Sequence, residues 1–182
     1  KAHLDRFCPY MVKFMNEIRP KVGFKIYIIE QSNDGRKFNR GKLLNIGFDI
    51  ARKDGVSVFI FHDVDLLPSR ELGASYSTLP LDNQPVHIAK LWNRYNNDPD
   101  YIGGIVAFSR KQFESFNGFP NNYWGWGGED NEMGNRLKKV GLTPCKPECG
   151  GTIEDLEDMS LDQKLKFLKS HREWKCQKKW EL

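Results

Sequence analysis

Val56-Ser-Val-Phe-Ile-Phe61 runs without a break into His62-Asp-Val-Asp65, so an apolar stretch ends on two carboxylates that flank one valine. Such a short run, rich in β-branched and aromatic residues, has the composition of a buried strand. Immediately before it, Lys42 to Arg52 places Leu43, Leu44, Ile46, Gly47 and Ile50 along one side of a helix. Upstream again, Phe24-Lys-Ile-Tyr-Ile-Ile-Glu30 lies between Gly23 and the polar turn Ser32-Asn-Asp-Gly35 and reads as a second buried strand. Strand, helix and strand within ~40 residues form a βαβ unit. The expected class is therefore α/β, a Rossmann-like domain with a mainly parallel central sheet flanked by helices.

The flanking sequence extends this pattern. His3 to Ile18 spaces Leu4, Phe7, Met11, Phe14, Met15 and Ile18 at helical intervals, and Pro20 closes the helix. After Pro68 the chain is loop-rich through Asp100, with Pro80, Pro85, Pro99 and an Asn-Asn-Asp run at Asn96. Tyr101 to Phe108 reads as a strand, Lys111 to Phe116 as a short helix, and Asn117 to Gly128 as a Gly/Asn/Trp loop. Glu129 to Val140 is a helix, and Ser160 to Lys169 is another with Leu161, Leu165 and Leu168 inward. No repeat, low-complexity tract or linker divides the chain, so residues 1–182 read as one catalytic-sized domain.

The composition excludes several classes. With 39% hydrophobic and 29% charged residues in 182, the chain is neither collagen-like, disordered nor a coiled coil. A net charge of +4 from 28 basic and 24 acidic residues is too small for a nucleic-acid footprint, and Lys175, Lys178 and Lys179 read as a solvated face. No window approaches the ~18 apolar residues of a membrane span, so no span is expected. Because the chain opens on Lys1 and not on Met, it reads as an excised domain or a processed product, with room for an anchor or leader upstream. Cys8, Cys145, Cys149 and Cys176 allow three pairings if oxidised, with no C-x-x-C pair.

Two constellations carry chemistry. Asp63 and Asp65 leave the carboxyl end of the apolar strand, where open α/β sheets bind ligands, and alternation sends both to one side. Paired carboxylates at that address suit a hard divalent cation; the plain alternative is a strand-end turn capped by Asp. The second is Trp124-Gly-Trp-Gly-Gly-Glu-Asp130. Indoles on a glycine-rich loop offer flat faces to a sugar ring, and Glu129 and Asp130 stand at a helix N-terminus, where the dipole favours an ionised base. Helix capping alone would account for the carboxylates but not for the tryptophans.

Taken in order, Phe38-Asn-Arg40, Lys42-Leu-Leu-Asn-Ile-Gly47, Phe61-His-Asp-Val-Asp-Leu-Leu-Pro68, Tyr101-Ile-Gly-Gly104 and Asn117-Gly-Phe-Pro-Asn-Asn-Tyr-Trp-Gly-Trp-Gly-Gly-Glu-Asp130 resemble the β-1,4-galactosyltransferase family. The resemblance runs from about Lys1 to Leu142. It implies a GT-A type fold, a UDP-galactose donor, Mn²⁺, a glycan acceptor and inversion at the anomeric carbon. Carried onto these positions, it makes Phe38, Arg40, Asp63 and Tyr101 donor-binding, with Tyr101 favouring galactose over N-acetylgalactosamine. Asp65 becomes the metal ligand, and Trp126 the indole that closes over donor and acceptor. Glu129 becomes an acceptor-binding carboxylate and Asp130 the general base. A Golgi lumen location goes with such an enzyme, whereas the lack of any Asn-x-Ser/Thr sequon fits a cytoplasmic one.

Three features depart from the family pattern. A third acidic residue is expected after Glu129-Asp130, and Asn131 stands there, an acceptor-side position, followed by Glu132. The Pro-Phe/Tyr-Arg-x-Arg donor segment belongs upstream of His3-Leu4 and is not contained in the chain. The histidine that completes the metal site has no counterpart between His87 and His171. Asp158, Met159 and His171 are the candidate further ligands, against a solvated helix start and a surface histidine as the plain readings. His62 and His87 read as structural. The alternatives to galactosyl transfer are a chondroitin-synthase type N-acetylgalactosaminyl or glucuronyl transferase, which shares a similar G-W-G-G-E-D segment, and a sugar-binding relic of the fold.

Overall fold

The computed structural model describes residues 2–18, 23–92, 94 and 98–180. Pro20 and Asn96, read above as a helix stop and part of a loop, lie outside them. Helix α1 (Ala2–Ile18) buries Phe7, Met11, Phe14 and Met15, the apolar stripe expected of it. Helix α2 (Arg40–Ala51) begins two residues before Lys42, because Asn39 caps it: its Oδ1 accepts from the Lys42 N–H at 2.9 Å. Strand β1 (Val58–His62) follows, then β2 (Leu66–Pro68), the short helix α3 (Gly73–Ser77) and β3 (Val86–His87). Strand β4 (Ile105–Ser109), α4 (Arg110–Ser115), β5 (Tyr123–Trp124) and α5 (Glu129–Lys139) carry the motifs from Tyr101 to Asp130. The chain continues through β6 (Ile153–Asp155), α6 (Leu161–Ser170) and β7 (Gln177–Lys178).

The sheet order is β1-β4-β3, and alternation along it builds two cores. Phe59 and Phe61 of β1, with Val106 and Phe108 of β4, face α2, α4 and α5. Ile105 and Ala107 face α1, α3 and β2, where Val58 and Ile60 also pack. The first core is largely phenylalanine: Phe113 has Phe48 at 4.3 Å and Phe61 at 4.5 Å between ring centroids. Truncating one such ring to alanine costs about 3–5 kcal/mol. This helix, sheet, helix layering satisfies the α/β expectation.

Among the described residues the expected parallel ladder does not form. β1 pairs with β4 antiparallel, from Val58 opposite Ser109 to His62 opposite Ile105, and β3 pairs with β4 antiparallel as well. The two-stranded pairs β2-β6 and β5-β7 are also antiparallel. Parallel pairing among the described residues is confined to the isolated bridges Val86 to Cys145 and Trp126 to Lys175. Residues 24–30, expected to supply a parallel strand, belong to no helix and no ladder. Their apolar side chains serve packing instead of pairing: Phe24 and Tyr27 pack on the cores, Ile29 lies against Gly47 of α2, and Ile26 and Ile28 face solvent. Composition alone cannot separate a strand from an extended segment laid over a helix.

Helix α6 also departs from its reading. Leu165 is 42% exposed, and the buried residue of the helix is Lys164. Lys164 turns inward because Glu157 accepts from its ammonium, an ion pair that helical periodicity does not reveal. All four cysteines are unpaired thiols, half-buried and dispersed. Among the described residues no helix is long and apolar enough to cross a membrane.

Candidate active site

The site gathers around Arg40, the first residue of α2. Asn39 fixes that start: it is buried, its amide donates to the Asn121 carbonyl at 2.8 Å, and its own N–H donates to Gln31 Oε1 at 2.8 Å. From there the Arg40 Nε donates to Asp63 Oδ1 at 2.7 Å and Nη1 to Asp130 Oδ1 at 2.8 Å, with Glu129 Oε1 at 3.6 Å. One guanidinium thus joins the end of β1 to the N-terminus of α5. Burial opposes the charge on Arg40, but Asp130, Asp63 and Glu129 outweigh it and hold the group cationic.

The carboxylates respond to the same burial. Glu129 is pushed up to about 7, chiefly by desolvation and then by the charge of Asp130, with Arg40 pulling the other way. Its Oε2 is buried without a hydrogen-bond partner among the described residues. Asp130 is likewise raised by desolvation, while Arg40 restrains the rise. Burial therefore outweighs the helix dipole expected to keep the pair ionised, and Arg40, a cation from another element, limits the rise.

Asp65 is pushed up to about 6 by burial and by the charges of Asp63, Asp155 and Glu157. It is drawn beside them because β6 pairs with β2, placing Asp155 opposite Leu66, and the Leu156 N–H donates to the Asp65 carbonyl at 2.7 Å. A half-buried carboxylate among like charges, with no basic side chain bonded to it in the described structure, suits a cation, so Asp65 fits the oxygen ligand of a divalent ion. The rest of such a site is less developed. Among the described residues no three His, Cys, Asp or Glu side chains are grouped to hold a metal. Arg94 donates to Asp155 at 3.3 Å and to Glu157 at 2.6 Å, and Lys164 also pairs with Glu157. Asp158 is exposed in a left-handed turn and Met159 is half-buried. His171 caps α6, its Nδ1–H donating to the Phe167 carbonyl at 2.9 Å and its ring stacked 4.0 Å from Phe167.

Tyr101 forms the wall adjoining Asp130 across Gly103, its ring 5.4 Å from that of His87 and 6.4 Å from that of Trp92. His87 is structural as read: it is buried, held near 4 by desolvation and therefore neutral, and its Nε2–H donates to the Gly103 carbonyl at 2.9 Å. Gly103 has no room for a side chain, since a Cβ there would stand 2.3 Å from Asp130 Oδ2 and 2.8 Å from the Tyr101 ring. His62 is also neutral, near 4, donating from Nδ1 to the Asp63 carbonyl and accepting from the Tyr76 hydroxyl, both at 2.8 Å.

The tryptophan loop is tied to the chain's later residues. The Trp126 N–H donates to the Trp174 carbonyl at 2.8 Å, Trp124 Nε1–H donates to the Lys179 carbonyl at 3.1 Å, and Lys164 lies 5.9 Å over the Trp126 ring. Gly125, at φ +100°, is required there: a Cβ would meet the carbonyl oxygens of Trp174 and Lys175 at 2.8 Å. On its other side the Gly125 N–H donates to the Phe38 carbonyl at 2.7 Å, leaving the Phe38 ring 57% exposed. Asn131 is exposed on the first turn of α5.

Residues 1–76 match the family model described as the N-terminal region of glycosyl transferase group 7, and residues 83–160 the one described as the N-terminal domain of galactosyltransferase. The structure superposes on that of a Drosophila β-1,4-galactosyltransferase 7 mutant in complex with manganese, UDP-Gal and xylobiose. The TM-score is 0.77 at 30% identity, over 99% of this chain and 71% of that one. The chain belongs to the β-1,4-galactosyltransferase family. Its fold is the GT-A type of that family's catalytic domains.

A second Drosophila β-1,4-galactosyltransferase 7 structure, the catalytic domain with xylobiose, agrees at TM-score 0.72 and 35% identity, over 81% of this chain and 60% of that one. Bovine β-1,4-galactosyltransferase 1 is 40% identical over 151 residues, 81% of this chain and 36% of its own. Human β-1,4-galactosyltransferase 4 is 39% identical over 159 residues, 82% of this chain and 43% of its own. The chain therefore spans only about 36% to 43% of the length of these curated relatives. Family membership was legible in the tryptophan motif; the Arg40 junction and the ion pairs of Arg94 and Lys164 were not, because no local spacing brings their partners together.

Proposed function

We propose that this family member is a metal-dependent inverting transferase that moves galactose from UDP-galactose to a sugar hydroxyl of a glycan. The observation that carries the reading is the buried junction in which Arg40 holds Asp130, with Asp63 on its other side and Tyr101 and Gly103 forming the adjoining wall. In a direct displacement the acceptor oxygen forms a bond to the anomeric carbon as the bond to the UDP oxygen breaks, and UDP leaves with the electron pair. The acceptor proton goes to Asp130. Burial makes that carboxylate more basic than an exposed one, while Arg40 fixes its orientation, the combination a general base requires.

The donor side is assigned to the exposed Phe38 ring, suited to stacking on a nucleobase, and to Asp63 and Tyr101. Glu129, Asn131 and Trp126 are assigned to the acceptor. Mn²⁺, held through Asp65, would neutralise the diphosphate as it leaves. The manganese and UDP-Gal in the Drosophila complex support this choice of cofactor and donor. A Golgi lumenal location goes with this reading for an enzyme of a eukaryotic secretory pathway.

The test is transfer and hydrolysis of UDP-galactose by the purified chain with and without Mn²⁺, comparing it with Asp130→Asn. Removing a positioned base should cut transfer by roughly 10²- to 10⁴-fold. UDP binding measured by calorimetry should persist in the variant. Full transfer by Asp130→Asn would move the base elsewhere, and no turnover of UDP-galactose by the parent chain under any metal would overturn the reading.

A further inference from the structure

Beside Tyr101 a cleft of about 730 Å³ opens between the segment at residues 99–102, α5 and the stretch from Leu142 to Lys146. It is continuous with the site, since Tyr101, His87 and Asn131 belong to its lining. Its charge is one-sided. Lys90, Lys138 and Lys146 line it, and Asp100 is the lining acid.

That acid is already answered. Lys138 Nζ stands 2.8 Å from Asp100 Oδ1, and the charges of Lys138 and then Lys90 hold Asp100 below its usual range. Lys90 Nζ is anchored on the Asp98 carbonyl at 2.5 Å, which keeps its charge at the rim. His87 on the inner wall is neutral, so it adds nothing to the count. Lys146 is exposed on the far wall. Asn131, on the site-facing edge of the cleft, is uncharged, so Asp100 is the one acidic residue of the lining.

We propose that this cleft receives an anionic extension of the acceptor, a carboxylate or sulfate carried on the residue or aglycone next to the sugar that is glycosylated. The proposal rests on the galactosyl-transfer reading above for the sugar's position, but the lysine cleft can be read out separately. A bound carboxylate would meet Lys138 and Lys146 in place of water and exchange part of the Asp100 contact. Partly exposed charges of this kind are worth a few-fold each, so the preference is modest and salt-sensitive.

The experiment uses matched glycosides of N-acetylglucosamine, glucose and xylose with a benzyl or a 4-carboxybenzyl aglycone. Transfer from UDP-galactose should favour the carboxylated member of the preferred pair by about five- to tenfold in kcat/KM at low salt, mostly through KM. The preference should vanish at 0.5 M salt on the order of a 4 Å screening length. It should also vanish in Lys138→Gln/Lys146→Gln and return in Lys138→Arg/Lys146→Arg, with the benzyl glycoside turned over unchanged in both. Calorimetric binding of the two aglycone forms to the UDP-loaded chain is the second readout. Transfer to benzyl glycosides with no carboxylate preference, or a preference that survives the double glutamine variant, overturns the cleft assignment and leaves the transfer reading intact. Lysine-dependent binding of the carboxylated glycoside without transfer to any acceptor upholds the cleft and overturns the transfer reading. Neither binding nor transfer overturns both.

Discussion

The Arg40 guanidinium donates to Asp130 at 2.8 Å across 90 positions of chain, and the same group holds Asp63 at 2.7 Å. Its side chain is only 17% exposed, so the junction sits largely out of water. Arg40→Met should therefore do two things at once. Leaving buried Glu129 and half-buried Asp130 and Asp63 without their cation costs up to about 3 kcal/mol, read as a lowered thermal midpoint. Transfer should fall further than stability explains, because Asp130 is then both misoriented and protonated. Adding Asp130→Asn to Arg40→Met should restore most of the midpoint and none of the activity; a double variant no more stable than Arg40→Met would show that the cation is not what stabilises the junction.

Glu129 gives the stability of the ligand-free chain a pH dependence of definite sign. Its folded value is about 7 against 4.5 unfolded, raised first by desolvation and then by Asp130. Between those values the folded state holds a proton that the unfolded state has released, so stability falls as pH rises from about 4.5 through about 7 and levels off above. Asp65, raised to about 6, adds a slope of the same sign at lower pH. Thermal midpoints measured from pH 5 to 8 should decline, and Glu129→Gln should flatten most of the decline above pH 6. An unchanged slope in that variant would assign the titration to other groups.

How far these relations could be read in advance depends on their range along the chain. The helices at α1, α2 and α5 and the strands β1 and β4 announce themselves through periodicity and composition, which are local. The tryptophan motif and the Asp63-Val-Asp65 pair likewise need only a few consecutive residues. Strand partnership does not work that way: residues 24–30 have a strand's composition, yet Ile29 packs on Gly47 and β1 takes β4 as its neighbour. Leu165 follows the helical stripe and is exposed, while the neighbouring Lys164 is buried and pairs with Glu157, a partner outside the helix that the stripe does not announce. Arg40 sits in a motif noted for its cation, but its three carboxylate partners come from β1's end and α5's start. Asn39 was within reach, since an Asn just before an apolar helix is a capping signal.

Asp65→Asn should weaken Mn²⁺ binding and metal-dependent transfer while leaving the fold intact. Asp65 lies among Asp63, Asp155 and Glu157, where its charge is disfavoured in the absence of a cation, so the amide relieves repulsion instead of breaking a bond. The thermal midpoint without metal should stay level or rise. The apparent Mn²⁺ affinity in the presence of UDP, followed by titration of the free ion's paramagnetic signal, should drop at least about tenfold for loss of one anionic ligand. Native affinity in the variant would place the ion on other groups.

Gly103 offers a way to disturb the base without touching it. A Cβ at this position would stand 2.3 Å from Asp130 Oδ2 and 2.8 Å from the Tyr101 ring, so Gly103→Ala must push one of them aside. The Tyr101 ring has His87 behind it at 5.4 Å, and Asp130 is pinned by Arg40, so neither yields freely. Displacement by about 1 Å in a reacting group can cost on the order of 10²-fold in rate. Gly103→Ala should therefore lower kcat by roughly that factor, with affinity for UDP alone near native because UDP lacks the galactose that Tyr101 is assigned to, and neither Phe38 nor Asp65 is among the nearest atoms the new Cβ would meet. Asp130→Asn in the Gly103→Ala background should add little further loss, since the base is already out of place. Full additivity of the two substitutions, measured in single-turnover transfer, would show that the alanine acts on something other than Asp130.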